Sequence, residues 1–105
     1  MTVYIVQNSF IAKLAAISLK SERVAVTISN KIYLYNCTKQ DFLTNRKWVC
    51  HELAHVFQYK RLGTIRFILA YLLECLINGY KNNKFEIEAT KKENDNTLVE
   101  GVIFI

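Results

Sequence analysis

Two histidines separated by four positions constrain the fold of this chain more than any other feature. They are His51 and His55, the only histidines among 105 residues, and Glu52 directly follows the first. On an α-helix, residues i and i+4 lie one turn apart on the same face, so both imidazoles can reach one metal ion. Apolar neighbours supply the buried side that such a helix needs: Trp48, Val49, Leu53, Val56 and Phe57.

The size and composition of the chain indicate one folded domain spanning residues 1–105. Hydrophobic residues make up 51% and charged residues 22%, which excludes a disordered chain. The formal charge of +5 comes from lysines and arginines scattered along the chain, without any recognised nucleic-acid motif. We therefore expect a solvated basic surface and no nucleic-acid partner.

The pattern along the chain predicts a small α+β fold. Strands are expected at residues 2–6, 24–28 and 32–35, the last two forming a hairpin around Asn30. Helices are expected at residues 10–19 behind the cap Ser9, from about 38 to 61 with a break near Asn45, at 64–78 before Gly79, and after Asn83 until about 94. The second of these carries the histidines, and the third should be a buried core helix.

Apolar residues define the faces that these helices are expected to bury. In the first helix they are Phe10, Ile11, Leu14 and Ile17, and in the third they are Ile65, Ile68, Leu69, Leu72, Leu73, Leu76 and Ile77. The apolar tail, residues 99–105, either covers the core or pairs with another chain, and the sequence does not decide between these alternatives. The oligomeric state stays open for the same reason.

Other features bear on the compartment of the protein. Three cysteines without CxxC spacing and a start without a basic signal region favour reduced thiols and a cytoplasmic location. The longest apolar run, residues 67–73, is far shorter than the roughly 18 residues that a membrane helix needs, so no membrane partner is expected. Cys50 is adjacent to His51 but points about 100° away on a helix, which favours a buried thiol over a ligand.

A hydrolytic metal site needs a third protein ligand, and no other histidine can supply it. The candidates are carboxylates, and on residue chemistry the leading ones are Glu86, Glu88 and Glu74. Glu86 and Glu88 differ by about 200° on a helix, so only one can face the metal. Asn83 and Glu86 also have the spacing of a capping box, which would explain Glu86 without a metal.

Glu52 is the expected catalytic base. Its position beside the histidine pair lets the carboxylate reach a water on the metal without ligating the metal itself. Zinc lowers the pKa of such a water towards about 7, and Glu52 would take its proton as it attacks a carbonyl carbon. The hydroxyls of Tyr59, Tyr71 and Tyr80 are candidates to stabilise the resulting oxyanion, and the sequence does not rank them.

The order of these features resembles a family of small bacterial domains of unknown function related to larger HExxH metallopeptidases. The resemblance covers most of residues 24–90. The matching residues are 25–27, 32–34, Phe42, Leu43, Trp48, 51–59, Gly63, Tyr71, Leu72 and 79–89. It implies a minimal zincin-like fold and one zinc ion per chain. Glu86 would be the third ligand, by similarity to the Glu-x-x-Ala-Asp element of membrane-linked gluzincins. This chain carries Thr90 where those enzymes carry the aspartate, which usually orients a histidine ligand.

Two hypotheses of function follow. The first is a gluzincin-type zinc metallopeptidase that hydrolyses a peptide bond in a peptide or protein substrate. The same resemblance implies that residues 24–28 or 32–35 of the hairpin pair with an extended substrate, and the alternative is two ordinary strands of a small sheet. The second is a metal-stabilised binding or structural module with little or no catalytic activity. In both, the metal is held by His51, His55 and Glu86.

Overall fold

A computed structural model describes all 105 residues. The elements in chain order are β1 (Thr2–Val6), α1 (Phe10–Leu19), β2 (Val24–Ile28), β3 (Lys31–Tyr35), α2 (Lys39–Thr44), α3 (Arg46–Leu62), α4 (Thr64–Asn78), α5 (Lys84–Lys91), a 3₁₀ turn (Asn96–Val99) and β4 (Ile103–Phe104). The α+β class predicted from the sequence is confirmed, and the break near Asn45 separates α2 from α3.

The strands form one mixed sheet in the order β2-β3-β1-β4. β2 and β3 are an antiparallel hairpin, whereas β1 lies parallel to both β3 and β4. The predicted hairpin is therefore confirmed, and it places β2 at an edge of the sheet. β2 is five residues long, and its side that faces away from β3 pairs with no other strand.

Helices cover both faces of the sheet. Because successive side chains of a strand point to opposite faces, each strand contributes residues to both sides. On one face Ile32 and Leu34 of β3 join the main core beneath α3. On the other, Tyr33 and Tyr35 lie against the smaller cluster that α1 forms with β2. The main core consists of Val3, Ile32, Leu34, Cys37, Phe42, Val49, Leu53 and Val56. The helix that carries both histidines is thus anchored directly on the sheet.

The expectation that large apolar residues of α1 and α4 would be buried is wrong. Phe10 and Ile17 of α1 are 70% and 65% exposed, and the helix meets the sheet through Ala12 and Ala16 instead. Small side chains let the helix backbone approach the strands closely, whereas no element covers the opposite side of α1. The predicted α1 face, which also includes Ile11 and Leu14, is therefore exposed.

α4 likewise is not a buried core helix. Phe67 is its only fully buried residue, and the side chains expected in the core lie exposed: Ile65, Leu69, Leu72, Leu73, Leu76 and Ile77. Phe67 packs between Tyr59 of α3 and Phe85 of α5, with ring centroids 4.4 Å and 5.0 Å away. α4 is therefore attached to α3 and α5 by an aromatic cluster rather than by its aliphatic face.

The C-terminal segment covers the core of its own chain. β4 pairs with β1, and Leu98, Val99, Val102 and Phe104 pack against the main core. All three cysteines are free, with Cys37 and Cys50 buried. No helix combines the length and the apolar character that crossing a membrane would require.

Candidate metal centre

The histidine pair lies in the middle of α3, as predicted. Asn45 caps the helix by accepting a hydrogen bond from the Trp48 N–H, and Gly63 ends it. The imidazole rings of His51 and His55 are one turn apart, with centroids separated by 5.1 Å. His55 is buried, and the His51 side chain is 18% exposed, so the pair faces a partly enclosed space.

Glu86 on α5 completes a group of three side chains of the types that ligate metal ions. Its Oε1 lies 3.0 Å from His51 Nε2 and 3.3 Å from His55 Nε2. One ligand atom from each of the three residues lies within 4.8 Å of the others, so the group could hold a metal ion. Two imidazole nitrogens and one carboxylate oxygen converging from two helices fit a transition-metal site.

The competing carboxylates are engaged elsewhere. Glu88 accepts hydrogen bonds from Gln58 Nε2 at 2.8 Å and Arg61 at 3.3 Å, and its side chain is 40% exposed. Glu74 accepts a hydrogen bond from the backbone N–H of Lys84 at 3.0 Å. Of the three leading candidates, only Glu86 reaches the histidines.

The capping-box explanation of Glu86 does not describe its contacts. Asn83 caps α5 by accepting a hydrogen bond from the Phe85 N–H, but the Glu86 carboxylate does not return to the helix start. Its second oxygen instead accepts a hydrogen bond from the Tyr71 hydroxyl at 2.5 Å. Glu86 therefore uses both oxygens within the candidate metal centre.

Each histidine is also oriented by a hydrogen-bond partner at its other ring nitrogen. His51 Nδ1 lies 2.9 Å from Glu93 Oε2, and His55 Nδ1 lies 2.7 Å from Gln58 Oε1. Gln58 is fixed in turn by donating to the Phe85 carbonyl at 3.0 Å. Such partners hold a ligating imidazole in one tautomer and orientation.

Neither orienting partner was predicted from the sequence, where only Thr90 was considered for this role. Thr90 instead donates a hydrogen bond to the Glu86 carbonyl at 2.9 Å within the helix. One local signal concerned Glu93, because the fourth predicted helix runs to about residue 94 and would place Glu93 two turns after Glu86 on the same face. In the structure α5 ends at Lys91, and Glu93 lies in the turn beyond it. No comparable signal distinguishes Gln58.

The protonation of the group follows from these contacts. Burial alone would raise the pKa of Glu86, but hydrogen bonds with His51 and His55 lower it well below its usual range. Burial likewise opposes the charged form of His51, yet the hydrogen bond with Glu86 and the charge of Glu52 raise its pKa to about 9. The pKa of His55 is raised by the same contacts against the effect of burial. The Glu86 carboxylate and the two imidazoles therefore favour one another's charged forms.

Glu52 lies beside this group without contacting the histidines. Its side chain is buried, and its Oε1 accepts a hydrogen bond from Thr27 Oγ1 of β2 at 2.9 Å. Burial raises the pKa of Glu52, although the nearby charges of His55 and His51 act in the opposite direction. The hydrogen bond fixes one carboxylate oxygen and leaves the other free to exchange a proton. Thr27 was not identified from the sequence.

A cavity of about 550 Å³ opens over the centre. It lies between α1 and α4, along β2, and is lined among others by the candidate ligands His51, His55 and Glu86, and by Glu52. The three candidate tyrosines differ in their surroundings. Tyr71 is bound to Glu86, and Tyr59 packs on Phe67, whereas the hydroxyl of half-exposed Tyr80 makes no hydrogen bond to the protein.

Comparisons with known proteins return no match: no family model matches the chain, no curated protein matches its sequence, and no solved structure matches its fold. The function is therefore inferred from the geometry of the centre and the chemistry of its residues.

Proposed function

We propose that this chain is a zinc-dependent metallopeptidase of the gluzincin type. The observation that carries the proposal is that His51, His55 and Glu86 converge in the same cavity as the carboxylate of Glu52. Two histidines and a glutamate are the ligand set of many catalytic zinc sites, where three protein ligands leave a coordination position open. Zinc bound there would supply Lewis acidity, lowering the pKa of water and polarising a carbonyl group.

Glu52 is the proposed general base and acid. Since Thr27 holds Oε1, the free Oε2 can accept a proton from the attacking water and later donate it to the leaving amine. Burial raises the pKa of Glu52, which brings its proton affinity closer to that needed near neutral pH. The fixed position of the carboxylate reduces the reorganisation that proton transfer would otherwise require.

The unpaired side of β2 supports a peptide as the substrate. Residues Ala25 to Ile28 line the cavity, and β2 pairs only with β3. Ile28 and Lys31 flank the two-residue turn and pair with each other, so the backbone groups of Val24, Val26 and Ile28 face β3. The N–H and C=O groups of Ala25 and Thr27 then point outward, where an extended peptide can pair with them.

Tyr80 is the proposed stabiliser of the oxyanion that develops on the attacked carbonyl. Its hydroxyl is not bound to the protein, and the residue borders the cavity next to Glu52. Burial first, and then the charge of Glu86, raises its pKa to about 12, so the hydroxyl keeps its proton and can donate it. Tyr71 is a weaker choice because its hydroxyl already donates to Glu86.

The test of the metal site is zinc stoichiometry in matched variants. We expect one zinc ion per chain in the wild type, retained in Glu88→Gln and lost in Glu86→Ala. Glu88 provides the matched control because it lies on the same helix and does not contact either histidine. A wild-type chain that binds no zinc would contradict the proposal.

The test of catalysis is cleavage of an unfolded protein by the zinc-loaded chain. We expect cleavage by the wild type and none by Glu52→Gln, which should keep its zinc because Glu52 is not a ligand. Stoichiometric zinc without cleavage across a broad peptide library would favour the metal-stabilised binding module instead.

A further inference from the structure

The candidate metal centre separates two depressions of different character. The first is the cavity of about 550 Å³ described above, here termed the apolar chamber, whose walls include Ile28, Phe67, Ile68 and Leu72. The second, here termed the basic recess, measures about 480 Å³ and is bordered by Arg23 and Lys47. Both depressions share residues of the centre and of its surroundings: Leu19, Ala25, His51, Glu52 and Tyr80.

The apolar chamber suits a large uncharged side chain. Its only ionisable carboxylates and imidazoles belong to the centre itself, and no lysine or arginine borders it. Beyond Glu52 and the centre no charged residue borders the chamber, so a lysine or aspartate side chain of a substrate placed against its apolar walls would lose its hydration, which is unfavourable. A leucine or phenylalanine would instead bury apolar surface against Phe67 and Ile68.

The basic recess suits an acidic group. Arg23 and Lys47 are its cations, and the Arg23 guanidinium lies 5.7 Å from the centroid of the Trp48 ring. Besides Glu52, its only acidic residue is Glu93, whose carboxylate is engaged with His51 Nδ1 at 2.9 Å. The two cations therefore face the recess without a carboxylate partner within ion-pair distance.

The edge strand connects the two depressions. Val24 borders the recess, Ile28 borders the chamber, and Ala25 borders both. Since a strand advances about 3.3 Å per residue, a peptide paired with β2 passes from one depression to the other within a few residues. The reacting carbonyl would lie between them, above Glu52.

We propose that the site selects peptides with a bulky apolar side chain on one side of the reacting bond and an acidic group on the other. Ile68 and Leu72 would determine the apolar preference, and Arg23 and Lys47 the acidic one. The proposal rests on the proposed peptidase function and adds the class of substrate to it.

Binding to zinc-loaded Glu52→Gln tests the proposal without turnover. Three fluorescent peptides would be titrated, and their binding would be followed by fluorescence anisotropy. They differ only at the two positions on either side of the reacting bond. Named by the residue for the apolar chamber and then the residue for the basic recess, they are Leu/Asp, Leu/Lys and Lys/Asp. We expect Leu/Asp to bind about fivefold more tightly than Leu/Lys, as for a partly exposed ion pair. We expect it to bind at least about tenfold more tightly than Lys/Asp, since the apolar contact is lost there.

Charge reversal in the protein provides the matched comparison. Arg23→Glu combined with Lys47→Glu should reverse the preference between Leu/Asp and Leu/Lys, whereas Lys60→Glu, which borders neither depression, should preserve it. Zinc content and thermal unfolding would verify that each variant is folded. Equal affinities for the three peptides on a zinc-loaded chain would overturn the substrate preference alone, whereas a wild-type chain without zinc would overturn the proposed function as well.

Discussion

Replacing Glu93 by glutamine tests whether the partners of the histidines support the metal centre. The substitution keeps the size of the side chain but removes the carboxylate that lies 2.9 Å from His51 Nδ1. Loss of such a partner typically lowers metal affinity by about 10- to 100-fold. The Glu93 side chain is 30% exposed and makes one such contact. We therefore expect a loss of zinc affinity at the lower end of that range, about tenfold, which corresponds to about 1.4 kcal/mol.

Competition with a chromophoric zinc chelator would measure this loss. Glu100→Gln is the control, because it makes the same charge change at an exposed side chain that does not contact the histidines or the residues that orient them. An equal loss in both variants would show that only the overall negative charge matters. Wild-type affinity in Glu93→Gln would refute the argument that this carboxylate orients His51.

Three further outcomes follow from packing, charge and metal binding. Leu53→Ala should lower the free energy of unfolding by about 2–5 kcal/mol in urea titrations, since Leu53 is fully buried. Leu76→Ala should change the free energy of unfolding by no more than about 0.5 kcal/mol, because Leu76 is 83% exposed. Similar losses in the two variants would contradict the exposure of α4. In the metal-free chain the pKa of His51 is about 9 in the folded state and about 6.5 in the unfolded state. The protonated imidazole therefore contributes its full share to the free energy of unfolding below about pH 6.5, and this share is lost as the pH rises through about 9. Urea titrations between about pH 6 and about pH 10 should show this decline, and His51→Ala should make it smaller, since only His55 then keeps a raised pKa. Zinc at 100 times its Kd should raise the free energy of unfolding by about 2.7 kcal/mol, and the gain should vanish with a chelator or in Glu86→Ala.

The positions of the helices and strands were predictable because their signals are local. Ser9 and Asn83 cap α1 and α5, and the break near Asn45 divides α2 from α3. Caps and turns depend on hydrogen bonds between residues two or three positions apart, so the sequence alone carries them. The hairpin was predictable for the same reason.

The burial of helix faces was not predictable from periodicity. An apolar stripe shows which side of a helix could be buried, but not whether another element covers it. In α4 the aliphatic stripe around Leu69 and Leu76 lies exposed, while Phe67 forms the contact with α3 and α5. The arrangement of the other helices decided this outcome.

The candidate metal centre likewise combines relations that are local in the sequence with contacts that depend on the packing of the helices. The sequence by itself determined that His51 and His55 share a helix face with Glu52 beside them, because that relation depends only on the helical repeat. Residue chemistry alone left Glu86, Glu88 and Glu74 open, and the resemblance favoured Glu86. Only the tertiary structure shows Glu86 beside both histidines, and it also brought Glu93 to His51. The contacts with His51 join residues 35 and 42 positions apart, so they depend on how α5 and the turn after it pack against α3.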